Sequence, residues 1–229
     1  AQGSFNPYVT QRAAPRPLSL MSQWVSPDLS PSDFRFVTTG KGVTMYVVDQ
    51  DITLVLMDCP SDQWGLNGRN PIRCDDAYRE SEQYANDVRG VMAQLRQKMG
   101  VKKFFIIGHS YGSISSRWLA INLGHEIAGS IHSASMTGPA GGSSQQYGIS
   151  FSRIDLSKAK APYTYMHNVD DQCLGTVYKT IKSIAGERLI AIQGGGTTGG
   201  ACGGKHYHSY EDRELDAAKA VVTWIRSQP

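Results

Sequence analysis

The sequence predicts an α/β fold, a mostly parallel central sheet with helices on both faces. Two observations carry that expectation. Short unbroken runs such as Ile52-Thr53-Leu54-Val55-Leu56-Met57 and Lys103-Phe104-Phe105-Ile106-Ile107 have the length and side chains of strands buried on both faces. Between such runs lie stretches in which apolar residues recur at helical spacing, and strands that alternate with helices assemble into a parallel sheet.

Taken in order, residues 1–16 are polar and proline-bearing and read as an N-terminal arm with at most one short strand. Residues 17–21 have strand character, and a loop rich in Ser, Pro and Asp follows to Asp33. Residues 35–48 fit neither element. Gly40 and Gly42 weaken a helix there, while Phe36, Val37, Met45, Val47 and Val48 call for burial. After the strand at 52–57 comes a long polar loop, 58–78. A helix over 80–99 carries Tyr84, Val88, Val91, Met92 and Leu95 on one face and stops at Gly100. The remaining order is a strand at 103–107, a helix at 111–123, a strand at 127–131 and a Gly/Ser-rich loop at 136–150. A strand at 163–166, a helix at 176–185, a strand at 188–192 and a glycine-loaded loop then lead to a final helix at 211–227. No internal repeat interrupts this, and residues 1–229 are expected to form one domain.

Composition narrows the class. Hydrophobic residues make up 40% and charged residues 19%, which is globular rather than disordered. A net charge of +3 with scattered basic residues gives no reason to expect a nucleic-acid partner, and Lys102-Lys103 reads as a solvated strand entrance. No apolar run approaches the roughly 18 residues of a membrane span. A start at Ala1-Gln2-Gly3 suits a mature chain after signal-peptide removal. Cysteine usage fits two disulfides, Cys59–Cys74 and Cys173–Cys202, and hence a secreted or periplasmic protein; four reduced thiols in a cytosolic protein are the alternative. No CxxC pair marks a zinc site.

The chemistry is carried by Gly108-His109-Ser110-Tyr111-Gly112. The pattern G-x-S-x-G is weak alone, but here it lies directly between a buried strand and a helix, as a nucleophile elbow requires. A serine on that sharp turn leaves no room for side chains two residues to either side. The turn lifts the hydroxyl above the sheet at the positive end of the helix. It also aims the Tyr111 N–H at a developing oxyanion. The alternative is a small-residue turn with an idle serine.

In the order of its elements, its GHSYG elbow and its later acid and histidine, residues 52–227 resemble the α/β-hydrolase superfamily. Small secreted bacterial serine esterases without a large lid are the nearest type. Residues 1–51 match poorly, which implies either a sheet reduced at its N-terminal edge or a sequence that lacks some residues there. In that superfamily the acid and the histidine follow the serine. The resemblance puts the acid in the turn after the strand at 163–166, favouring Asp171 over Asp170, whose alternative role is to cap a backbone N–H. It puts the histidine on the last loop, favouring His208, beside Glu211-Asp212, over His206. His109 is implied to pack rather than catalyse, and His132 reads as a core histidine. A second oxyanion donor is implied after the first central strand, where Ser22-Gln23-Trp24 offers the backbone N–H of Gln23 or Trp24. His206 and His208 do not read as metal ligands, since a spacing of two sends side chains to opposite faces of an extended segment.

Together these readings describe a serine esterase that uses no metal or organic cofactor. It would act on a small-molecule or lipid-like acyl substrate through an acyl-enzyme, with Trp24, Trp64 and Tyr111 available for apolar contact. A bridge from Cys173 to Cys202 would tie the acid loop to the histidine loop. Two alternatives remain. One is other acyl chemistry on the same triad: amide or thioester cleavage, or acyl transfer. The other is a binding module that keeps the fold without catalysis.

Overall fold

The structure is a computed structural model that describes residues 50–57, 60, 63, 74–138 and 149–229, together with the backbone of the strands at 8–10 and 18–23. Among the described residues, seven strands form one sheet: β1 (Tyr8–Thr10), β2 (Leu18–Gln23), β3 (Ile52–Met57), β4 (Lys103–His109), β5 (Gly129–Ser133), β6 (Tyr163–Asn168) and β7 (Leu189–Ile192). Their order is β1-β3-β2-β4-β5-β6-β7. Every neighbouring pair is parallel except β1 with β3, which is antiparallel.

The N-terminal edge is reduced to β1, a strand of 3 residues. The strand expected at 17–21 runs on to Gln23 and lies centrally, with Leu20 opposite both Leu54 and Phe105. The ambiguous stretch 35–48 lies outside the described residues, as do most of the loop 58–78 and much of 136–150.

The helices are α1 (Asp76–Glu80), α2 (Glu82–Met99), α3 (Gly112–Asn122), α4 (Tyr178–Ala185) and α5 (Glu214–Arg226). Strand residues alternate between two cores, which is why the buried runs are apolar throughout. Val55, Met57, Phe104 and Ile106 pack on Val88, Val91, Met92 and Leu95 of α2. Leu54, Leu56, Phe105 and Ile107 face the other way, onto Ala218, Val221, Val222 and Ile225 of α5.

Three helix starts differ from expectation, each for a local reason. The predicted helix at 80–99 is broken at Ser81, whose Oγ accepts the Tyr84 N–H at 3.2 Å and donates to Tyr78 O at 2.6 Å. The helix expected from residue 176 begins at Tyr178, because Val177 before it has an extended backbone, φ −71° and ψ 113°. The last helix begins at Glu214 rather than at residue 211, since Tyr210 and Asp212 have φ of 58° and 60°, a left-handed backbone that no α-helix accommodates. The strand expected at 127–131 lies at Gly129–Ser133, which brings Ser133 alongside His109.

Because β4, β6 and β7 are parallel, the loops that leave them emerge at one rim of the sheet. Those loops carry Ser110, Asp171 and His208. Ser81→Ala removes a helix cap away from that rim. It is expected to cost about 1 kcal/mol, seen as a lower urea midpoint at unchanged m-value; an unchanged midpoint would show the break to be set by packing alone.

Candidate active site

Ser110 lies at the turn between β4 and α3 with φ of 53°, in the left-handed region that non-glycine residues seldom occupy. Two backbone hydrogen bonds hold it there: Ser110 N–H donates to Ser133 O at 2.9 Å, and Ser113 N–H donates to Ser110 O at 2.9 Å. The turn is so tight that a Cβ on Gly108 would stand 2.1 Å from Gly112 O, so that position accepts only glycine. Ser110 itself is half-buried.

His208 lies in the short turn Tyr207–Ser209 beyond β7. Its Nε2 is 2.8 Å from Ser110 Oγ, and its Nδ1 is 3.0 Å from Asp171 Oδ2. An ionised carboxylate only accepts, so Nδ1 carries the proton; the neutral ring then accepts from the Ser110 hydroxyl at Nε2. The tautomer that can take a proton from serine is thereby imposed.

Asp171 follows β6 closely, and its side chain has 0% exposure. Besides His208, Oδ2 accepts from His167 Nε2 at 3.0 Å and from Thr176 Oγ1 at 2.9 Å. Oδ1 accepts from Cys173 N–H at 2.9 Å. Burial pushes the Asp171 carboxyl up, but the hydrogen bonds from His167, His208 and Cys173 outweigh it and hold the group well below the usual carboxylate range.

The two alternative residues have other work. Asp170 accepts the Gly194 N–H at 2.9 Å and so ties the end of β6 to the loop after β7. His206 is buried against Tyr207, with ring centroids 5.1 Å apart. Sequence reasoning missed His167 and Thr176. Their only trace was a histidine four residues before an aspartate and a threonine just after it, in a turn read solely for its acid.

A second layer supports His208. The His109 ring lies 5.1 Å from it, and His109 Nδ1 is 3.0 Å from Ser133 Oγ. Tyr210 OH is 2.8 Å from the same Oγ and donates to Met166 O at 3.0 Å. Burial, reinforced by His208, pushes His109 well below its ordinary value and keeps it neutral. His132 is a core histidine, 2.8 Å from Ser116 Oγ through Nδ1.

Tyr111, next to the serine, is pinned from α1. The buried Arg79 guanidinium lies 4.2 Å from the Tyr111 ring centroid, and the Tyr111 hydroxyl donates to Asp76 at 2.6 Å. One face of that ring is thus covered by Arg79. Gln23 ends β2 directly opposite Gly108 of the tight turn. Trp24 and Trp64 lie outside the described residues.

Cys173 and Cys202 form a disulfide, which joins the Asp171 loop to the His208 loop across 29 residues. Cys74 is also disulfide-bonded, while Cys59, its expected partner, lies outside the described residues. Among the described residues, no group of His, Cys, Asp and Glu is arranged to hold a metal ion, and no helix is long and apolar enough to cross a membrane.

No protein-family model matches this sequence, and neither does any curated protein. Solved structures do match in fold. Est1E from Butyrivibrio proteoclasticus superposes with a TM-score of 0.66 at 11% identity, over 99% of this chain and 97% of that one. XC6422 from Xanthomonas campestris, an α/β serine hydrolase without a lid, gives 0.61 at 17% identity, over 97% and 88%. Proline iminopeptidase from Mycobacterium smegmatis gives 0.62 at 8% identity, over 99% and 97%. The chain therefore has the α/β-hydrolase fold.

Two outcomes follow for stability. Replacing Cys173 and Cys202 by serine is expected to cost about 3–4 kcal/mol in the chain-entropy view, measured by urea unfolding; a loss below about 1 kcal/mol would mean that the two loops are already held without the bridge. The lowered Asp171 carboxyl stabilises the fold fully above its unfolded value of about 3.9, and that contribution is lost as pH falls from there toward the folded value. Wild type should therefore exceed Asp171→Asn most at neutral pH, and the gap should narrow below about pH 4. A gap that does not change with pH would contradict the assignment.

Proposed function

We propose that the protein is a serine hydrolase that cleaves carboxylic esters by two acyl transfers through an acyl-enzyme on Ser110. The observation that carries this reading is the chain of contacts from Ser110 Oγ to His208 Nε2, 2.8 Å, and from His208 Nδ1 to Asp171 Oδ2, 3.0 Å. Ser110 Oγ attacks the carbonyl carbon while His208 Nε2 takes its proton. The tetrahedral oxyanion is held by the Tyr111 N–H and by a main-chain N–H at Gln23 or Trp24. Collapse breaks the ester C–O bond, and His208 returns the proton to the leaving alcohol. Water then repeats the sequence: it attacks the acyl carbon, gives its proton to His208, and the proton returns to Ser110 as the acid leaves. Asp171 keeps the imidazole in its productive tautomer and stabilises the imidazolium. No metal or organic cofactor enters these steps.

Two of the fold neighbours agree with this choice: Est1E has been solved with ferulic acid bound, and XC6422 is a serine hydrolase. The substrate class we infer is a small or lipid-like acyl compound. Amide cleavage is the second reading, favoured by the peptidases that share the fold. The Cys173–Cys202 bridge supports residence in an oxidising compartment, the periplasm or the exterior.

Hydrolysis of p-nitrophenyl esters of graded chain length, beside thioester and peptide substrates, tests the proposal. Ser110→Ala is expected to lower kcat by about 10⁶, and Asp171→Asn by about 10⁴ with KM little changed. Peptides cleaved far faster than esters would favour the amide reading. Wild-type rates in Ser110→Ala would rule out Ser110 as the nucleophile, and no turnover by folded wild type would leave a binding module.

A further inference from the structure

Arg117 lies in α3, beyond the turn that carries Ser110, and is 5% exposed. Its acceptors are neutral: Met136 O at 3.0 Å and Ser135 Oγ at 3.4 Å, both from Nη1. Its Nε is buried with no acceptor, and among the described residues no carboxylate pairs with it. A guanidinium buried without a counter-charge is costly. Burial lowers its pKa accordingly, against the opposing influence of Tyr165 and Tyr163.

This side chain lines a cavity of about 330 Å³ on the sheet face between α3 and α4. That volume is at the small end of ligand pockets, which run from about 300 to 1,000 Å³. Phe151, Tyr163, Tyr165, Leu156 and Ile184 supply aromatic and apolar wall. Tyr163 and Tyr165 stand edge to face at 6.2 Å, and the buried His132 ring braces both, at 5.8 and 5.3 Å. At the mouth, Ile184 is an exposed apolar residue, 48% accessible. The cavity lies along β6 from its first half, whereas Asp171 leaves the strand's far end.

We propose that this cavity is a binding site for an aromatic monocarboxylate, whose carboxylate pairs with Arg117 and whose ring packs against Phe151, Tyr163 and Tyr165. A guanidinium matches a planar carboxylate through two parallel N–H···O bonds. A single cation also favours one negative charge over two. Asp155 lines the same cavity, with its carboxylate held by the Ser157 N–H and hydroxyl; its charge opposes any anion there and a dianion such as phosphate about twice as strongly as a monocarboxylate. The site does not rest on the hydrolase reading. It does touch the catalytic rim, because Thr137, another lining residue, accepts the Val177 N–H at 2.9 Å and donates its own N–H to Gly175 O at 2.8 Å, on either side of Thr176.

The test is an NMR titration of the full chain with benzoate, benzamide and inorganic phosphate, following the Arg117 Nε–H signal and the amides of Tyr165 and Thr180. Benzoate is expected to shift these signals with a Kd of about 1 mM or tighter. Benzamide and phosphate should bind at least about tenfold more weakly. Arg117→Gln should weaken benzoate by at least about tenfold. Thr180→Trp, a change at an exposed lining position on α4 that leaves the core intact, should block it as well. The proposal is overturned if benzoate shifts only signals around Ser110, if benzamide or phosphate binds as well as benzoate, if no shift appears by about 20 mM, or if folded Arg117→Gln or Thr180→Trp binds benzoate as wild type does.

Discussion

One oxygen holds the rim of the candidate site together. Asp171 Oδ2 accepts from His208, His167 and Thr176, and these three donors come from the loop after β7, from β6, and from the approach to α4. A carboxylate fully removed from water costs several kcal/mol unless its lone pairs are met; here they are met by the elements the site needs to align. Losing the charge would release all three at once. The Cys173–Cys202 bridge makes the same connection covalently, immediately beside the Cys173 N–H that satisfies Oδ1. Loop placement matters at this level because catalysis is sensitive to displacements of about 1 Å.

The serine depends on a different constraint, stored in the backbone. A left-handed residue costs of order 1–3 kcal/mol and persists only when its surroundings over-determine it. Gly108 permits the turn, Ser133 O fixes it, and the Arg79–Tyr111 stack holds the next residue from below. Ser133 serves twice: its carbonyl holds the serine, and its hydroxyl holds His109 and Tyr210 beneath His208. Ser110 and His208 are thereby referred to one strand end, which is how two loops distant in sequence keep a separation of 2.8 Å.

What could be read from sequence divides along the same line. The tight turn at Ser110 was legible because its evidence is local: a buried run, small residues at fixed offsets, and a helix start. The choice between Asp170 and Asp171, and between His206 and His208, leaned on resemblance, since each pair is equivalent to a pattern and differs only in three dimensions. Asp170 turns to Gly194 and Asp171 to His208. His167 looked like a spare turn residue because its partner is defined by the turn geometry rather than by spacing. The central position of β2 came from the resemblance rather than from its own residues: its neighbours β3 and β4 are set by long-range pairing, which a short strand in a polar context does not announce. The late start of α5 depended on two left-handed residues that carry side chains, which composition does not announce.

The central claim is that the strained serine is made nucleophilic by the buried acid through His208. Reaction with an alkyl fluorophosphonate, followed by peptide mass spectrometry, reads this directly. The account predicts a single adduct on Ser110, forming at least about a hundredfold more slowly in Asp171→Asn. An adduct on another serine, no adduct on folded protein, or equal rates in wild type and Asp171→Asn would contradict it.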